Sequence, residues 1–486
     1  MNIPFNSQHI LINGVWKNAE NNATIDVANP STGQALCKIG RGSSSDINQA
    51  VKAANDALGG EWGRTSAMER GRVLMTMSRL VLDNIDMLSE LESYDVGKPT
   101  KQARADAIAL ARYLEFYAGS ADKVMGHTIP YMDGYTVYTL REPHGVAAHI
   151  IPWNYPMQIL GRSVGAALAM GNTCVLKPAE EACLTALAFG RIAEEAGLPK
   201  GVLNIVTGLG EEAGAALSNH PDIHHISFTG SVAVGKLIQK AAGENIVPVT
   251  LELGGKSPQI VFDDADIDKA IAFLVNGGIQ NAGQTCSAAS RIMLQRGIYD
   301  KVLNMMIERY QALEVGPAID DLDVGPVISQ KQKEVVEGYI LKGIQNGLEI
   351  AAQGKLVGAA ADPNNEGYYV RPTLFKDVSP REQLALEEIF GPVQVVIPFD
   401  TEAEAIEIAN GTEFGLITGI WTADGGRQMR MAKAIKAGQI FINNYGAGGG
   451  VELPFGGIGK SGFGREKGFE ALYGFSILKT VAAHHG

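Results

Sequence analysis

Apolar positions keep a helical period through the first quarter of the chain. Residues 46–58 put Ile47, Val51, Ala54 and Leu58 on one helical face. Ser66-Ala-Met-Glu69 is a capping box, so a second helix is expected to open there and carry Leu74, Met77, Leu80 and Val81 inward. A third is expected over 100–117, and this early part reads as helical. Within 124–140 the pattern changes. Thr136-Val-Tyr-Thr-Leu140 is rich in strand formers and Met132-Asp-Gly134 signals a turn, which predicts a hairpin arm. From Gly145, apolar runs at 147–151, 173–176, 203–206, 225–228 and 247–253 alternate with helical stretches, at a spacing of roughly 25 residues. That spacing predicts βα units around a parallel sheet. A second α/β region is expected from Pro258, with helices near 267–276, 299–313 and 331–346. The tail, 475–481, reads as a strand outside both units.

Length and composition narrow the class. At 486 residues the chain predicts two or three domains, with 45% apolar and 19% charged residues in an ordinary globular balance. The 58 glycines show no collagen-like period and suggest many tight turns. A net charge of −12 argues against nucleic-acid or acidic-membrane partners. Cys37, Cys174, Cys183 and Cys286 are too few and too scattered for a disulfide framework. The histidines lack metal-site spacing, so no metal is expected. No signal peptide is read at the start, and the longest uncharged stretch, 145–161, is too short to span a bilayer. A soluble cytoplasmic protein is the expectation.

Two strings ending in Gly-Lys-Ser, at 255–257 and 459–461, look like phosphate loops but lack the required earlier glycine. Phe228-Thr-Gly230-Ser-Val-Ala-Val-Gly235 is the better phosphate cradle, because it joins a strand to an acid-free helix start. Chemistry gathers at four further places. Pro152-Trp-Asn-Tyr-Pro156 pins Asn154 in a short loop, either as an oxyanion donor or as a turn asparagine. Leu176-Lys-Pro-Ala-Glu180 sets a cation and an acid at a strand end, suited to ribose hydroxyls or merely to a helix start. Glu252, between Leu251 and Leu253, is either a general base with a raised pKa or a solvated loop acid. Cys286, in Gly283-Gln-Thr-Cys286-Ser, sits in a small polar loop and reads as a reactive thiol, unlike Cys174 and Cys183 in apolar surroundings.

Together with Glu387-Glu-Ile-Phe-Gly-Pro-Val393, Pro454-Phe-Gly-Gly457 and Ser461-Gly-Phe-Gly-Arg-Glu466, these motifs resemble the NAD(P)-dependent aldehyde dehydrogenase superfamily over nearly the whole chain. The resemblance implies an α/β fold with a Rossmann-type cofactor domain (1–121 and 141–250) and an α/β catalytic domain (251–440). It adds a β-arm for oligomerisation (122–140 and 470–486) and a substrate-tunnel and return segment (441–469). It implies oxidation of a small-molecule aldehyde to an acid through a thiohemiacetal and a thioester. Cys286 would be the nucleophile, Asn154 the oxyanion donor and Glu252 the base for water. NAD would be preferred to NADP, and the chain would form a dimer or tetramer. Lys177 and Glu180 match adenosine-ribose contacts, Gly230 and Ser231 the pyrophosphate turn, and Gln332 a weaker ribose contact. Glu388 and Phe390 match the nicotinamide side. Ile151, Pro152, Trp153, Phe228 and Leu253 complete the expected cofactor surface, and Tyr155, Arg162, Thr285, Ser287, Gly449 and Phe455 the substrate pocket. Three positions depart from the usual pattern. Arg162 and Ser163 stand where many members carry Trp and Lys, so Glu466 lacks its usual relay partner. Gly449 replaces a pocket aromatic, and a wide tunnel is expected, for a bulky aromatic or carboxylate-bearing substrate. Arg162 would point into that tunnel and need water, a protein acid or a substrate carboxylate. A CoA-acylating semialdehyde dehydrogenase and a non-catalytic relative of the same fold are the alternatives.

Overall fold

The computed structural model describes residues 3–446 and 450–486. Helices form at Ser44–Gly59, Ala67–Asp83 and Thr100–Ser120, and Ser66 and Glu69 close the expected capping box. The start of the chain differs from the helical reading. Strands His9–Ile12, Val15–Asn18, Thr24–Ala28 and Ala35–Gly40 precede the first long helix. Asn13-Gly14 turns the first pair with positive φ at both residues, the two-residue hairpin signal. A helix at Ile85–Val96, ended by left-handed Gly97, also went unread.

The first large sheet has five parallel strands at its centre. Val146–Ile151 lies in the middle, with Thr173–Pro178 and then Leu203–Ile205 on one side, and His225–Thr229 and then Val249–Glu252 on the other. The chain therefore winds outward one way, returns, and winds out the other way. Loops leaving Ile151 and Thr229 part at this switch, where open α/β sheets bind ligands beyond their carboxyl ends. Antiparallel strands cap both edges: His9–Ile12 and Val15–Asn18 on one, Gly462–Phe463 on the other.

The second sheet runs Glu349–Gln353, Thr373–Lys376, Val393–Phe399, Arg291–Gln295, Pro258–Val261, Ile417–Trp421 and Gln439–Ile442, parallel except for the first. Helices Ile267–Ile279, Tyr299–Ala312 and Gln330–Gln345 accompany it close to their expected positions. A small third sheet pairs the tail strand Ser476–His484 with Tyr135–Pro143 over nine residues, and Thr128–Ile129 completes it. Among the described residues no helix is long and apolar enough to cross a membrane, and no cluster of potential metal ligands occurs.

Under the first sheet lies a charged group with no exposure to solvent. The Lys98 ammonium contacts Glu92 at 2.6 Å and also Asp106, and lies 4.0 Å from the centre of the Tyr155 ring. Burial pushes the Glu92 carboxyl well above its usual range, and neighbouring Asp106 adds to this against the pull of Lys98. One ammonium is thus shared by two buried carboxyls. Lys98→Met would leave the buried Glu92 and Asp106 carboxyls without the ammonium they share. Urea unfolding should show a loss of about 3–5 kcal/mol, as for broken buried pairs; a variant within about 1 kcal/mol of the parent would refute this account of the triad.

Candidate active site

The carboxyl ends of the first sheet's strands and the amino ends of the second sheet's strands border one cavity of about 800 Å³. Pro152, Trp153, Asn154 and Tyr155 enter it from the loop after Ile151, and Gly230 and Ser231 from the loop after Thr229. Glu252 and Leu253 enter at the end of the next strand. Thr285, Cys286 and Ser287 come from the loop that precedes Arg291–Gln295.

That loop has an unusual backbone. Asn281, Ala282 and Gly283 are successively left-handed, with φ of 50°, 53° and 72°. For non-glycine residues such conformations cost about 1–3 kcal/mol each and persist only where the surroundings dictate them. Here Asn281 Nδ2 donates to the Asn154 carbonyl at 2.9 Å, and Asn154 Nδ2 donates back to the Gln284 carbonyl at 2.9 Å. Gln284 Nε2 donates to the Asn281 carbonyl, and its Oε1 accepts from the Ile328 N–H. Asn154 therefore makes no local turn bond with its side chain. It ties the two sheets together, and its amide keeps a second N–H. Gly255 permits the close pass of the cysteine, since a Cβ there would lie 2.3 Å from the Cys286 carbonyl oxygen. Tyr155 and Tyr445 brace the two sides: Tyr155 Oη lies 3.0 Å from Thr285 Oγ1, and Tyr445 Oη donates to the Ser287 carbonyl at 2.7 Å.

The reacting groups are desolvated. Burial pushes the Cys286 thiol up to about 11; Arg162 pulls it down, Glu252 and Glu388 push it up, and Lys467 pulls it down. Glu252 is buried, and neither carboxylate oxygen has a hydrogen-bond partner. Burial raises its carboxyl well above the ordinary range, with Glu466 adding to the shift and Arg162, Arg465 and Lys467 opposing it. The solvated-loop reading of Glu252 thus fails, because the residue ends a strand paired with Thr229 on one side and Gly462 on the other.

Arg162 reaches the cavity from a π-helical turn, Leu160–Val164. Its Nε pairs with Glu466 Oε2, while Ser227 Oγ donates to Glu466 Oε1 at 3.0 Å. Its Nη2 lies 3.4 Å from Thr229 Oγ1, and its guanidinium carbon 4.9 Å from the centre of the Phe455 ring. Of the partners expected for Arg162, the structure supplies a protein acid, Glu466. Sequence reasoning missed Lys467, which lines the same cavity with its Nζ 5.0 Å from the centre of the Phe455 ring. It follows Glu466 directly, but nothing in the local sequence indicates which way its side chain turns. Gly449 lies outside the described residues.

On the cofactor side, Ser231 caps the helix Val232–Glu244, whose first turn carries no acid. A Cβ at Gly230 would come within 2.5 Å of the Phe228 ring, so only glycine leaves that turn open. Lys177 and Glu180 pair at 2.7 Å beside the adjacent strand end. Lys177, Glu180, Ile151 and Phe228 are not among the residues that line the cavity. Gln332 lines it and donates to the Phe390 carbonyl at 2.9 Å, holding that left-handed residue edge-on to Trp153 at 5.4 Å. Glu388 accepts from the Gly255 N–H at 2.9 Å, and burial pushes its carboxyl up to about 7.

The sequence profile of the Aldehyde dehydrogenase family matches residues 16–481. Hydroxyisobutyraldehyde dehydrogenase of Mycolicibacterium austroafricanum is 42% identical over 97% of this chain and 92% of its own length. Human retinal dehydrogenase 2 is 41% identical over 99% of this chain and 92% of its own. An aldehyde dehydrogenase from Bacillus cereus, solved as its NAD⁺ complex, superposes with a TM-score of 0.94 at 39% identity, covering 99% of this chain and 97% of that one. With the Asn154, Glu252 and Cys286 motifs gathered at one cavity between two α/β sheets, and with likeness across almost its full length, the chain belongs to the aldehyde dehydrogenase family of oxidoreductases.

Proposed function

We propose that the protein oxidises a bulky aromatic or carboxylate-bearing aldehyde to the carboxylic acid with NAD, through covalent intermediates on Cys286. One observation carries this reading: Cys286 and the unpartnered carboxyl of Glu252 face the same cavity as the Asn154 amide. The dinucleotide fits the residues present. The open turn at Gly230 and the acid-free helix start at Ser231 suit a pyrophosphate. Lys177 and Glu180 suit the adenosine ribose, Gln332 the second ribose, and Glu388 and Phe390 the nicotinamide end. Aromatic walls at Phe273, Phe441, Tyr445 and Phe455 favour a bulky substrate.

The chain's own groups account for the steps. Arg162 and Lys467 favour the Cys286 thiolate. Sulfur adds to the aldehyde carbon, and the new oxyanion takes hydrogen bonds from the second N–H of Asn154 and the backbone N–H of Cys286. The bound dinucleotide supplies the acceptor for the hydride. The acyl group is then a thioester on Cys286. Glu252 removes a proton from water as it attacks the thioester carbon, the C–S bond breaks, and the acid leaves. A buried base with open lone pairs favours hydrolysis over transfer to CoA, and the presence of both Cys286 and Glu252 argues against a non-catalytic relative. The three-stranded arm exposes Ile477 and Leu478 on its edge strand, which supports assembly of copies into a dimer or tetramer.

Cys286→Ala should lower NADH formation from aldehydes by at least about 10⁴-fold, roughly 5.5 kcal/mol of barrier. Retention of a tenth of the parent rate would sink the covalent route. CoA should not accelerate the parent enzyme.

Glu252→Gln should still release one NADH per site in a stopped-flow burst and then stall by about 10²–10⁴-fold, with the acyl-enzyme visible by mass spectrometry. Because its carboxyl is raised, Glu252 gains base form only above the ordinary carboxylate range. Parent kcat should therefore rise with pH through that region, and the limb should vanish in the variant. Unchanged steady turnover would remove Glu252 from the mechanism.

Glu180 beside the adenosine ribose would repel a 2′-phosphate, and Lys177 would offset part of this. NAD should be preferred to NADP on the order of tenfold or more in kcat/KM. Equal efficiencies would show that Glu180 does not meet the ribose.

A further inference from the structure

We propose that Lys256 is a positioning residue for Glu388: its buried ammonium supplies the positive field that keeps this carboxyl a hydrogen-bond acceptor on the nicotinamide side of the cavity. This rests on the NAD-dependent reading above and concerns a residue to which that reading gives no task.

The first observation is that Lys256 is buried with nothing to bind. Its side chain is 2% exposed, and its Nζ has no hydrogen-bond partner. A desolvated charge without a partner is costly, and a lysine within reach of the surface ordinarily extends to water. The backbone is clamped on both sides of it. Ser461 Oγ donates to the Gly254 carbonyl at 2.7 Å, and Arg291 Nε donates to the Lys256 carbonyl at 2.9 Å. The other nitrogens of Arg291 donate to the Ile408 and Ala409 carbonyls, each at 2.9 Å. That guanidinium is therefore committed to backbone oxygens rather than to an acid.

The second observation is which acid lies beside the segment. A Cβ on Gly254 would come within 2.1 Å of Glu388 Oε2, and the Gly255 N–H donates to Glu388 Oε1 at 2.9 Å. The carboxyl thus lies against the two glycines immediately before Lys256. Glu387, its neighbour in the chain, is exposed and engaged elsewhere, accepting from Tyr339 Oη and Gln383 Nε2, each at 2.7 Å. Glu388 lines the cavity, and Lys256 is not among the lining residues. The cation therefore acts on a wall residue instead of meeting a ligand itself.

The two charges respond to one another. Burial pushes the Glu388 carboxyl up to about 7, while the Gly255 N–H and Lys256 pull it down. Burial and Arg291 pull the Lys256 amine down to about 7, while Glu388 and Glu387 hold it up. Glu388 also pushes the Cys286 thiol up, next after Arg162 and Glu252 in effect. Each member of the pair favours the ionised form of the other. The interaction crosses a desolvated gap without a hydrogen bond, so it is screened little. A protonated Glu388 would lose the charge-assisted bonds that a carboxylate makes with N–H and O–H groups. With the ammonium in place, more of the carboxyl is ionised at neutral pH and suited to the hydroxyls of a ribose.

The test measures Kd for NAD by calorimetry as a function of pH, in the whole enzyme without aldehyde. Ionised Glu388 is the binding form, so the parent's Kd should rise as pH falls through about 7. Lys256→Met removes the field. The carboxyl's titration should then move upward by about one pH unit, raising Kd about fivefold at neutral pH and leaving it unchanged at about pH 9. Lys256→Gln, neutral but polar, should do the same. In Glu388→Gln the pH dependence should vanish, and adding Lys256→Met should change Kd by less than about 1.5-fold. If Lys256→Met weakens binding as much in Glu388→Gln as in the parent, and at every pH, the residue only packs and the proposal is overturned. Parent-like binding by both Lys256 variants overturns it too. The Glu388 titration is also read in the free enzyme by carbon NMR of isotope-labelled glutamate, with Glu388→Gln identifying the signal. An upward move in Lys256→Met supports the proposal and an unmoved midpoint overturns it, even if the parent binds no NAD. Failure of the parent to bind NAD counts against the proposed function instead.

Discussion

Everything at the site depends on holding the Cys286 loop in a conformation it would not choose. Two non-glycine residues and a glycine run left-handed in succession just before the nucleophile. Within the loop, Gln284 donates to the Asn281 carbonyl from both its backbone N–H and its side chain. Further stabilisation comes from across the cavity, where Asn281 donates to the Asn154 carbonyl and Asn154 donates to the Gln284 carbonyl, between the first sheet's loop and the second sheet's. The residue proposed to offer an N–H to an oxyanion is thus also the strut that links the first sheet's loop to the loop carrying the thiol. Function and rigidity share one side chain, and the strained loop is stable only once both sheets have formed.

The same architecture governs the charges. Removing Cys286 and Glu252 from water drives both toward neutrality, and the buried cations Arg162 and Lys467 bring their ionised forms back within reach. Such an arrangement needs counterweights. Glu466 matches Arg162 on one side of the cavity, and beneath Tyr155 the Lys98 ammonium is shared by Asp106 and Glu92. Arg162 and Lys467 both lie against the Phe455 ring on the cavity wall.

Much of this was legible along the chain. The alternation of short apolar runs with helical stretches specified the parallel sheet, because strands covered on both faces by helices must be apolar throughout. Residues that end strands of that sheet, such as Glu252, or follow them, such as Asn154 and Ser231, could be aligned with known motifs. The opening strands were less legible. Their runs are short and half exposed, and only the Asn13-Gly14 turn betrays the hairpin. Ile85–Val96 was hidden because its buried face includes Glu92, Ser93 and Asp95, which break the apolar period.

The sequence by itself determined the fold class and the family motifs, since each is carried by neighbours in the chain or by a local period. The partners of Arg162, the orientation of Lys467 and the double duty of Asn154 belonged to the tertiary structure alone. They join residues from 127 to 304 positions apart, as in Asn281 with Asn154 and Arg162 with Glu466. Which acid neutralises a buried guanidinium, and which way a lysine turns from a strained backbone, are decided by what the opposite sheet and the returning segment bring to the cavity. No local pattern encodes that, because the energy involved, desolvation set against pairing, exists only after the cavity has closed.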